Sequence, residues 1–205
     1  MLDQRMRRLL EPVLTAGARR LDGFGVTPDQ LTLFGAAAGV AAAFAVAFDA
    51  VAVGFLLACL SRLADGMDGP LARLRGSSDF GGYLDIVADF VFYTAIPLGF
   101  AVRDPEAALP AAFLLAGYVL TGVSFLAFSA VAERVRVEEL RDNRSFIFQP
   151  GLAEGTETIL VYVLMFSLPA WFAPLAWAYA TVCAYTALSR SVLAWRLFAP
   201  TSPRS

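Results

Sequence analysis

The chain has 205 residues with a formal net charge of −2, and 58% of them are hydrophobic against 17% charged, with a mean hydropathy of +0.63. An ordinary soluble domain carries about 45–50% apolar and about 25% charged residues, so this composition indicates a membrane protein. The absence of histidine excludes Ser-His-Asp and Cys-His catalysis and histidine metal sites. The two cysteines, Cys59 and Cys183, lie in apolar stretches and indicate neither a disulfide framework nor a zinc site.

The first 22 residues predict an amphipathic helix that lies in the membrane interface. Apolar residues recur there at helical spacing, and arginines occupy the other positions. Thr27 and Pro28 then mark the start of the next helix, as its N-cap and its first helical residue. We therefore expect a single membrane domain over 1–205, with the interfacial helix at 1–22 and a transmembrane bundle at 28–197.

Six apolar stretches long enough to cross a bilayer follow. They are predicted to be helices, because none shows the alternation that a spanning strand requires. The predicted spans are 28–48, 51–75, 79–101, 108–134, 154–169 and 174–197. In the first of them a row of small residues is typical of close helix packing, namely Gly35, Gly39 and Ala43. The predicted fold class is an all-α polytopic membrane protein with six transmembrane helices after an interfacial one.

The distribution of arginine predicts the topology. Every basic residue is arginine, and thirteen of the sixteen lie on one side of the membrane if the N-terminus lies there; Arg103 is on the other side. By the positive-inside rule that side is the cytoplasm. We expect a bacterial-type inner membrane protein with both termini and the active site cytoplasmic. The thirteen are Arg5, Arg7, Arg8, Arg19, Arg20, Arg73, Arg75, Arg134, Arg136, Arg141, Arg144, Arg196 and Arg204.

Four aspartates lie in the second and third predicted spans, although each charge at bilayer depth costs at least ~2.5–3.5 kcal/mol on insertion scales. Counted from the middle of the predicted turn at 76–78, Asp65 and Asp89 are each twelve residues away, and Asp68 and Asp85 are nine and eight away. An antiparallel helix pair would therefore place facing carboxylates in two layers about 5–6 Å apart. Oxygen ligands of this kind suit Mg²⁺, Mn²⁺ or Ca²⁺, and four acids have room for two ions ~3.5–4 Å apart, as in phosphoryl displacement.

The charges alone also permit other functions. Ion pairs from Arg62 to Asp65 and from Arg73 to another acid would suit a transporter core, and a cation or proton pathway would use the same carboxylates. Two arginines do not neutralise four acids, however, which favours a metal site.

The spacing of the acids forms the pattern D-x2-D-G-x2-A-R-x7-G-x3-D-x3-D. It resembles the signature of the CDP-alcohol phosphotransferase family, integral membrane enzymes that cleave a CDP-linked donor and transfer its phospho-alcohol portion to a second alcohol. Thr27–Thr32 and the six spans are also similar to this family. Gly82 is an alternative for the second glycine, but Gly81 keeps three residues before the third aspartate. The eight matching positions are Asp65, Asp68, Gly69, Ala72, Arg73, Gly81, Asp85 and Asp89.

The resemblance implies a role for each matching residue. Asp65, Asp68 and Asp85 would bind two divalent cations, Mg²⁺ or Mn²⁺, and Asp89 would be a shared ligand and the general base. The implied CDP-donor contacts are Gly69, Ala72, Arg73, Gly81, Asp68 and Thr32. The implied partners are CDP-diacylglycerol, a polar alcohol and membrane lipid, with CMP released and no nucleic acid bound. The resemblance also suggests a homodimer.

The sequence is compatible with four types of acceptor: glycerol 3-phosphate, an inositol compound, serine and phosphatidylglycerol. A rival within the family uses a CDP-amino-alcohol donor and diacylglycerol. A phosphorylated acceptor would contact arginines near the cytoplasmic side, which a solvated loop explains equally well; they are Arg134, Arg141, Arg144 and Arg190. A polyol or amino-alcohol would instead suit Glu154 and Glu157, although acids at a helix start also have a structural explanation.

Overall fold

The computed structural model describes residues 2–135, 153 and 155–199, and over these ranges the chain is helical with no strand. Two short 3₁₀ helices span Pro105–Ala107 and Pro169–Trp171. The helices are α1 (Leu2–Gly23), α2 (Pro28–Ala47), α3 (Val51–Arg75), α4 (Asp79–Arg103), α5 (Ala108–Val135), α6 (Gly155–Ser167) and α7 (Phe172–Phe198).

The predicted helix boundaries agree with the observed ones to within two residues. The largest difference at a helix start is in α7, which begins at Phe172 and not at 174. Pro174 therefore lies in the first turn of α7, where its missing N–H leaves no intrahelical hydrogen bond unmade. The all-helical fold class is confirmed.

Three segments are each long and apolar enough to cross a membrane, namely α2, α4 and Pro105–Arg134. A fourth candidate is the pair α6 and α7, which is bent by 119° at the intervening break. Helix α3 is long enough, but it carries five charged side chains between Arg62 and Arg75. The described residues thus give three to four candidate spans, and the six-span count and the interfacial position of α1 stay predictions.

Side-chain caps fix the ends of the helices that surround the aspartates. The hydroxyl of Thr27 accepts a hydrogen bond from the Gln30 N–H (3.2 Å), and the Gln30 side chain accepts one from the Thr27 N–H (3.0 Å). This capping box starts α2. The Ser78 hydroxyl accepts from the Gly81 N–H (2.9 Å) and starts α4, and Gly76, with φ of +97°, makes the tight turn from α3.

Helix α2 packs against both α3 and α4 through its row of small residues. A Cβ atom at Gly35 would lie 3.3 Å from the Ser61 carbonyl oxygen of α3, and one at Gly39 would lie 2.7 Å from the Phe92 ring of α4. Farther along α4, a Cβ atom at Gly99 would lie 2.5 Å from the Ala43 carbonyl oxygen. The predicted packing role of this row is confirmed, and α2 joins α3 and α4, which make few direct backbone contacts with each other.

The buried core lies beyond the aspartates along α4. Phe92, Ile96 and Phe100 are almost fully buried there, together with Leu114 of α5. Phe100 also stacks on Phe172 of α7, with ring centroids 4.4 Å apart. Helix α1 packs on α3, and α5 packs on α7. The later part of α4 is therefore held in the core, while its aspartates lie nearer its start.

Candidate active site

A cavity of about 770 Å³ lies between α1, α3, α4 and α6. All four aspartates of the pattern line it, as do Arg62 and Arg73. The rest of its wall is largely apolar. Most of it comes from α1, α3 and α6, with side chains that include Leu10, Val13, Leu14, Phe55, Leu63, Ile159, Leu160, Val163 and Phe166. The cavity therefore has a strongly charged part and an extended apolar part.

Three of the four carboxylates come together. One oxygen each of Asp65, Asp68 and Asp85 lies within 4.8 Å of the others. The first two lie on neighbouring turns of one face of α3, because residues three apart are neighbours on a helix. The short turn after Arg75 brings Asp85 of α4 alongside them. Asp68 is buried, Asp65 is half-buried and Asp85 is exposed.

The fourth carboxylate, Asp89, is held by a buried arginine. Arg62 Nη1 donates to Asp89 Oδ1 at 2.7 Å and lies 3.4 Å from Asp65 Oδ2. A single nitrogen therefore lies between Asp65 and Asp89, as expected if these two aspartates are at the same height on the helix pair. The guanidinium carbon lies 3.8 Å from the centroid of the Phe92 ring. The ion pair of Arg62 with Asp65 that the sequence suggested is present, and Asp89 is its closer partner.

Asp68 is oriented by a threonine of the first predicted span. Thr32 Oγ1 donates to Asp68 Oδ2 at 2.6 Å, and this contact is buried. The same hydroxyl lies 3.1 Å from the Pro28 carbonyl oxygen of its own helix. Thr32 therefore belongs to the carboxylate site, because it fixes one of the acids.

Arg73 lines the cavity, but its side chain is exposed. Its Nη2 lies 3.5 Å from Glu11 Oε1, and the two side chains are 62% and 61% exposed. Gly69, one turn earlier, has open space around it, because a Cβ atom there would meet only the Arg73 guanidinium, at 3.8 Å. Ala72 is half-buried and lies outside the cavity lining.

The two adjacent glycines of α4 differ in their surroundings. A Cβ atom at Gly81 would lie 3.0 Å from Ser78 Oγ and 3.2 Å from Asp29 Oδ1, whereas one at Gly82 would meet no atom within 4 Å. Gly81 is therefore the position at which a side chain would be crowded. This favours Gly81 as the second glycine of the pattern.

Comparison with known proteins identifies the family. The family model for CDP-alcohol phosphatidyltransferase matches residues 25–193. The chain belongs to the CDP-alcohol phosphatidyltransferase family. The membrane-bound transferase is therefore an enzyme of phospholipid synthesis.

Several relatives of the transferase are known. The inner membrane protein YnjF of Escherichia coli is 43% identical over 192 residues, which cover 93% of each chain. The archaetidylinositol phosphate synthase of Pyrococcus horikoshii is 27% identical over 166 residues, or 78% of this chain and 79% of that one. The crystal structure of phosphatidylinositol phosphate synthase from Mycobacterium tuberculosis with CDP-DAG bound has the same fold, with a TM-score of 0.71, 21% identity and coverage of 90% and 94%.

The carboxylate cluster of the transferase fits divalent metal binding. Its donors are hard oxygens, which Mg²⁺ and Mn²⁺ prefer, and three of them already lie within 4.8 Å of one another. The related Mycobacterium tuberculosis synthase has also been crystallised with manganese and citrate, with a TM-score of 0.65 and 24% identity. The number of ions and the participation of Asp89 stay predictions.

The predicted acceptor residues are only partly placed. Arg134 is exposed in the last turn of α5. Arg190 of α7 lines a different cavity, between α5 and α7, where it donates to the Thr121 carbonyl oxygen and the Ser124 hydroxyl, both at 2.9 Å. Glu157 lies in the first turn of α6. The remaining predicted residues, Arg141, Arg144 and Glu154, lie outside the described residues.

Sequence reasoning missed part of the cavity wall. Phe92 and Tyr93 of α4 and Thr156 of α6 line it, and Glu11 of α1 contacts Arg73. The aromatic pair follows Asp89 by three and four residues, so helical periodicity is the signal by which it could have been found on the same face as the aspartate. No sequence signal linked α1 or α6 to the aspartates, because those contacts join residues far apart in the chain.

Proposed function

We propose that the enzyme transfers a phosphatidyl group from CDP-diacylglycerol to the hydroxyl of a polar alcohol and releases CMP. The proposal rests on one observation: the same cavity contains the carboxylate cluster and an apolar wall formed by α1, α3 and α6. CDP-diacylglycerol matches both parts of this cavity, because its nucleotide diphosphate is charged and its two acyl chains are apolar. A water-soluble donor would have no use for the apolar wall.

The proposed donor site follows from the open space beside Gly69 and Arg73. The diphosphate would lie next to the metal-binding carboxylates, where the Arg73 guanidinium could form charge-assisted hydrogen bonds to it. Arg73 can leave Glu11 at little cost, because exposed ion pairs contribute only about 0–1 kcal/mol. The acyl chains would then contact the apolar side chains of α3 and α6.

The cluster of Asp65, Asp68 and Asp85 would hold the divalent cations, Mg²⁺ or Mn²⁺, and two ions with Asp89 as a shared ligand are the arrangement that the family resemblance implies. Bound there, the cations would stabilise the negative charge that develops on CMP as the bond between the two phosphates breaks. Thr32 holds Asp68 in a fixed orientation through its hydrogen bond of 2.6 Å.

Asp89 is the proposed general base. Its carboxylate would accept the proton of the acceptor hydroxyl while that oxygen attacks the phosphorus attached to diacylglycerol, and the bond to CMP would break. The Arg62 contact at 2.7 Å keeps one oxygen of Asp89 in place and leaves the other for the hydroxyl. Asp89→Asn should therefore abolish transfer while the other three carboxylates still bind metal.

We propose a phosphorylated alcohol as the acceptor. Two relatives bear names that contain an inositol phosphate product, and the chain is rich in arginine on the predicted cytoplasmic side. Substituting Arg144 by Glu should then raise the acceptor KM tenfold or more, with little effect from Glu157→Gln. The opposite order would indicate a neutral polyol or an amino-alcohol.

The test is transfer by the purified enzyme in nanodiscs. CDP-diacylglycerol and Mn²⁺ are supplied with glycerol 3-phosphate, inositol 1-phosphate, inositol, serine or phosphatidylglycerol, and lipid products and CMP are measured by mass spectrometry. Asp85→Asn is the inactive control. A second reaction supplies CDP-ethanolamine or CDP-choline with diacylglycerol instead. Product formed only in this second reaction would support the rival reaction in the family. No CMP from any donor would refute the proposed activity.

The proposed location is the cytoplasmic membrane of a bacterium, with both termini and the cavity on the cytoplasmic side. The 43% identical Escherichia coli relative is named as an inner membrane protein, which supports this location. A homodimer is also proposed, on the family resemblance alone. Labelling of cysteines introduced at residues 3 and 203 with an impermeant maleimide would test the topology.

A further inference from the structure

Arg62 is a buried charge within the cavity that the family pattern does not include. Its side chain is only 11% exposed, and it lies three residues before the first aspartate of the pattern. Its Nη1 donates to Asp89 Oδ1 at 2.7 Å and lies 3.4 Å from Asp65 Oδ2. The guanidinium thus contacts the proposed base on α4 and a proposed metal ligand on α3 at once.

The other contacts of Arg62 hold its guanidinium in one position. Nη2 lies 3.4 Å from Ser61 Oγ, and the Ser61 hydroxyl in turn donates to the Gly35 carbonyl oxygen at 2.7 Å. The planar group lies over the Phe92 ring, 3.8 Å from its centroid. An arginine fixed on an aromatic face loses little further freedom when it binds a carboxylate.

Arg62 is also incompletely hydrogen-bonded for so buried a group. Among the described residues, its Nε has no hydrogen-bond partner. Burying a guanidinium with an unused donor is costly, and an apolar side chain would pack against Phe92 without this cost. The position therefore indicates a use for the positive charge itself.

That use follows from the charge of the cluster. Four aspartates and Arg62 together have a formal charge of −3, and the charge would be −4 without the arginine. A divalent cation bound by Asp65, Asp68 and Asp85 would be repelled by the nearby guanidinium. The same guanidinium contacts one oxygen of Asp89, which is outside the three-carboxylate group, so a shared cation would have only the other oxygen of Asp89 as a ligand.

We propose that Arg62 is a positioning residue that holds the Asp89 carboxylate ready for the acceptor and, as a fixed positive charge, limits the affinity of the cluster for divalent cations. This inference rests on the proposed metal site. Arg62 would restrain the carboxylate of Asp89, which must accept a proton. It would also keep Asp89 from binding a cation too tightly.

The proposal predicts an unusual order of metal affinities. Removing Arg62 should tighten Mn²⁺ binding, because the cluster becomes more negative and both oxygens of Asp89 become available to the cation. Removing the charge of Asp89 should weaken binding. The double variant Arg62→Met with Asp89→Asn restores the formal charge of −3 and should bind Mn²⁺ about as the wild type does. We expect each single change to shift the dissociation constant roughly tenfold or more.

The experiment measures Mn²⁺ binding to the full chain in nanodiscs, by the electron paramagnetic resonance signal of free Mn²⁺. Wild type, Arg62→Met, Asp89→Asn and the double variant are titrated at one ionic strength. Arg103→Met is the matched control, because Arg103 forms an ion pair of 2.6 Å with Asp49 outside the cavity. Its Mn²⁺ affinity should equal that of the wild type.

The outcomes separate the two proposals. Wild type that binds no Mn²⁺ would refute the metal site and this inference together. Wild type that binds Mn²⁺, with Arg62→Met binding it equally or more weakly, would overturn the role of Arg62 and leave the metal site standing. If Arg62→Met fails to fold, the double variant and Arg62→Lys decide, since a lysine keeps the charge and should bind Mn²⁺ as the wild type does.

Turnover gives a second, independent readout. Arg62→Lys keeps a positive charge but cannot stack as a plane on Phe92 or hold the carboxylate as rigidly. Its kcat should fall at least tenfold while its Mn²⁺ affinity and donor KM stay within about threefold of the wild type. A purely structural role would instead lower the thermal stability and all of these parameters together. Unchanged kcat in Arg62→Lys would show that the charge matters and the positioning of Asp89 does not.

Discussion

Replacement of Arg73 by Ala should impair use of the CDP donor far more than use of the acceptor. The side chain lies on the cavity wall next to Gly69, where a Cβ atom would meet only its guanidinium. A guanidinium that binds a diphosphate makes charge-assisted hydrogen bonds worth about 1.5–3 kcal/mol. Since about 1.4 kcal/mol corresponds to a factor of ten, kcat/KM for the donor should fall about tenfold to a hundredfold.

The fold should tolerate this change. The ion pair of Arg73 with Glu11 is long at 3.5 Å, and both side chains are more than 60% exposed. Such a pair contributes about 0–1 kcal/mol to stability, so the melting temperature should move by only a few degrees. Loss of activity in Arg73→Ala would then report ligand binding.

Glu11→Gln is the matched control for this prediction. It removes the same ion pair but leaves the guanidinium free for the diphosphate, so the donor KM should stay the same or fall slightly. The assay is initial-rate kinetics with CDP-diacylglycerol and the acceptor both varied in mixed micelles. A change confined to the acceptor KM, or equal losses in Arg73→Ala and Glu11→Gln, would refute the placement of the diphosphate beside Arg73.

Three further predictions follow from single contacts. Thr32→Val removes a buried hydrogen bond of 2.6 Å to Asp68, a proposed metal ligand, and should raise the Mn²⁺ dissociation constant about tenfold in a titration. Thr94→Val is the control and should leave this constant unchanged, because the Thr94 hydroxyl bonds only within α4. Gly99→Ala would place a Cβ atom 2.5 Å from a carbonyl oxygen of α2 and should destabilise the protein by about 1–3 kcal/mol in a denaturation assay. A lipophilic maleimide should label Cys59, which is exposed in the cavity, faster than the buried Cys183, and CDP-diacylglycerol should slow the labelling; equal rates would place Cys59 outside the donor site.

The sequence by itself determined the class of fold and the position of the aspartates along it. The composition, the apolar runs and the cap at Thr27 sufficed for helix boundaries correct to within two residues, because these signals are local. The spacing of Asp65, Asp68, Asp85 and Asp89 about a short turn also sufficed to predict that α3 and α4 bring carboxylates together. A helix rises by a constant distance per residue, so the number of residues from the turn gives the position of each aspartate along the helix axis.

Tertiary structure decided which groups those carboxylates contact. The spacing suggested an ion pair of Arg62 with Asp65, but only packing against Phe92 fixes the guanidinium between Asp65 and Asp89. The hydrogen bond of Thr32 to the cluster depends likewise on how closely α2 approaches α3.

The apolar wall of the cavity and the location of Arg190 were also beyond the sequence. The wall comes from α1, α3 and α6, and Arg190 lines a separate cavity between α5 and α7. A hydrophobic pattern says which face of a helix is apolar, but not which other helix or which lipid that face meets. Contacts between distant helices depend on side-chain shape summed over the whole interface, and that information is not contained in any one segment of the chain.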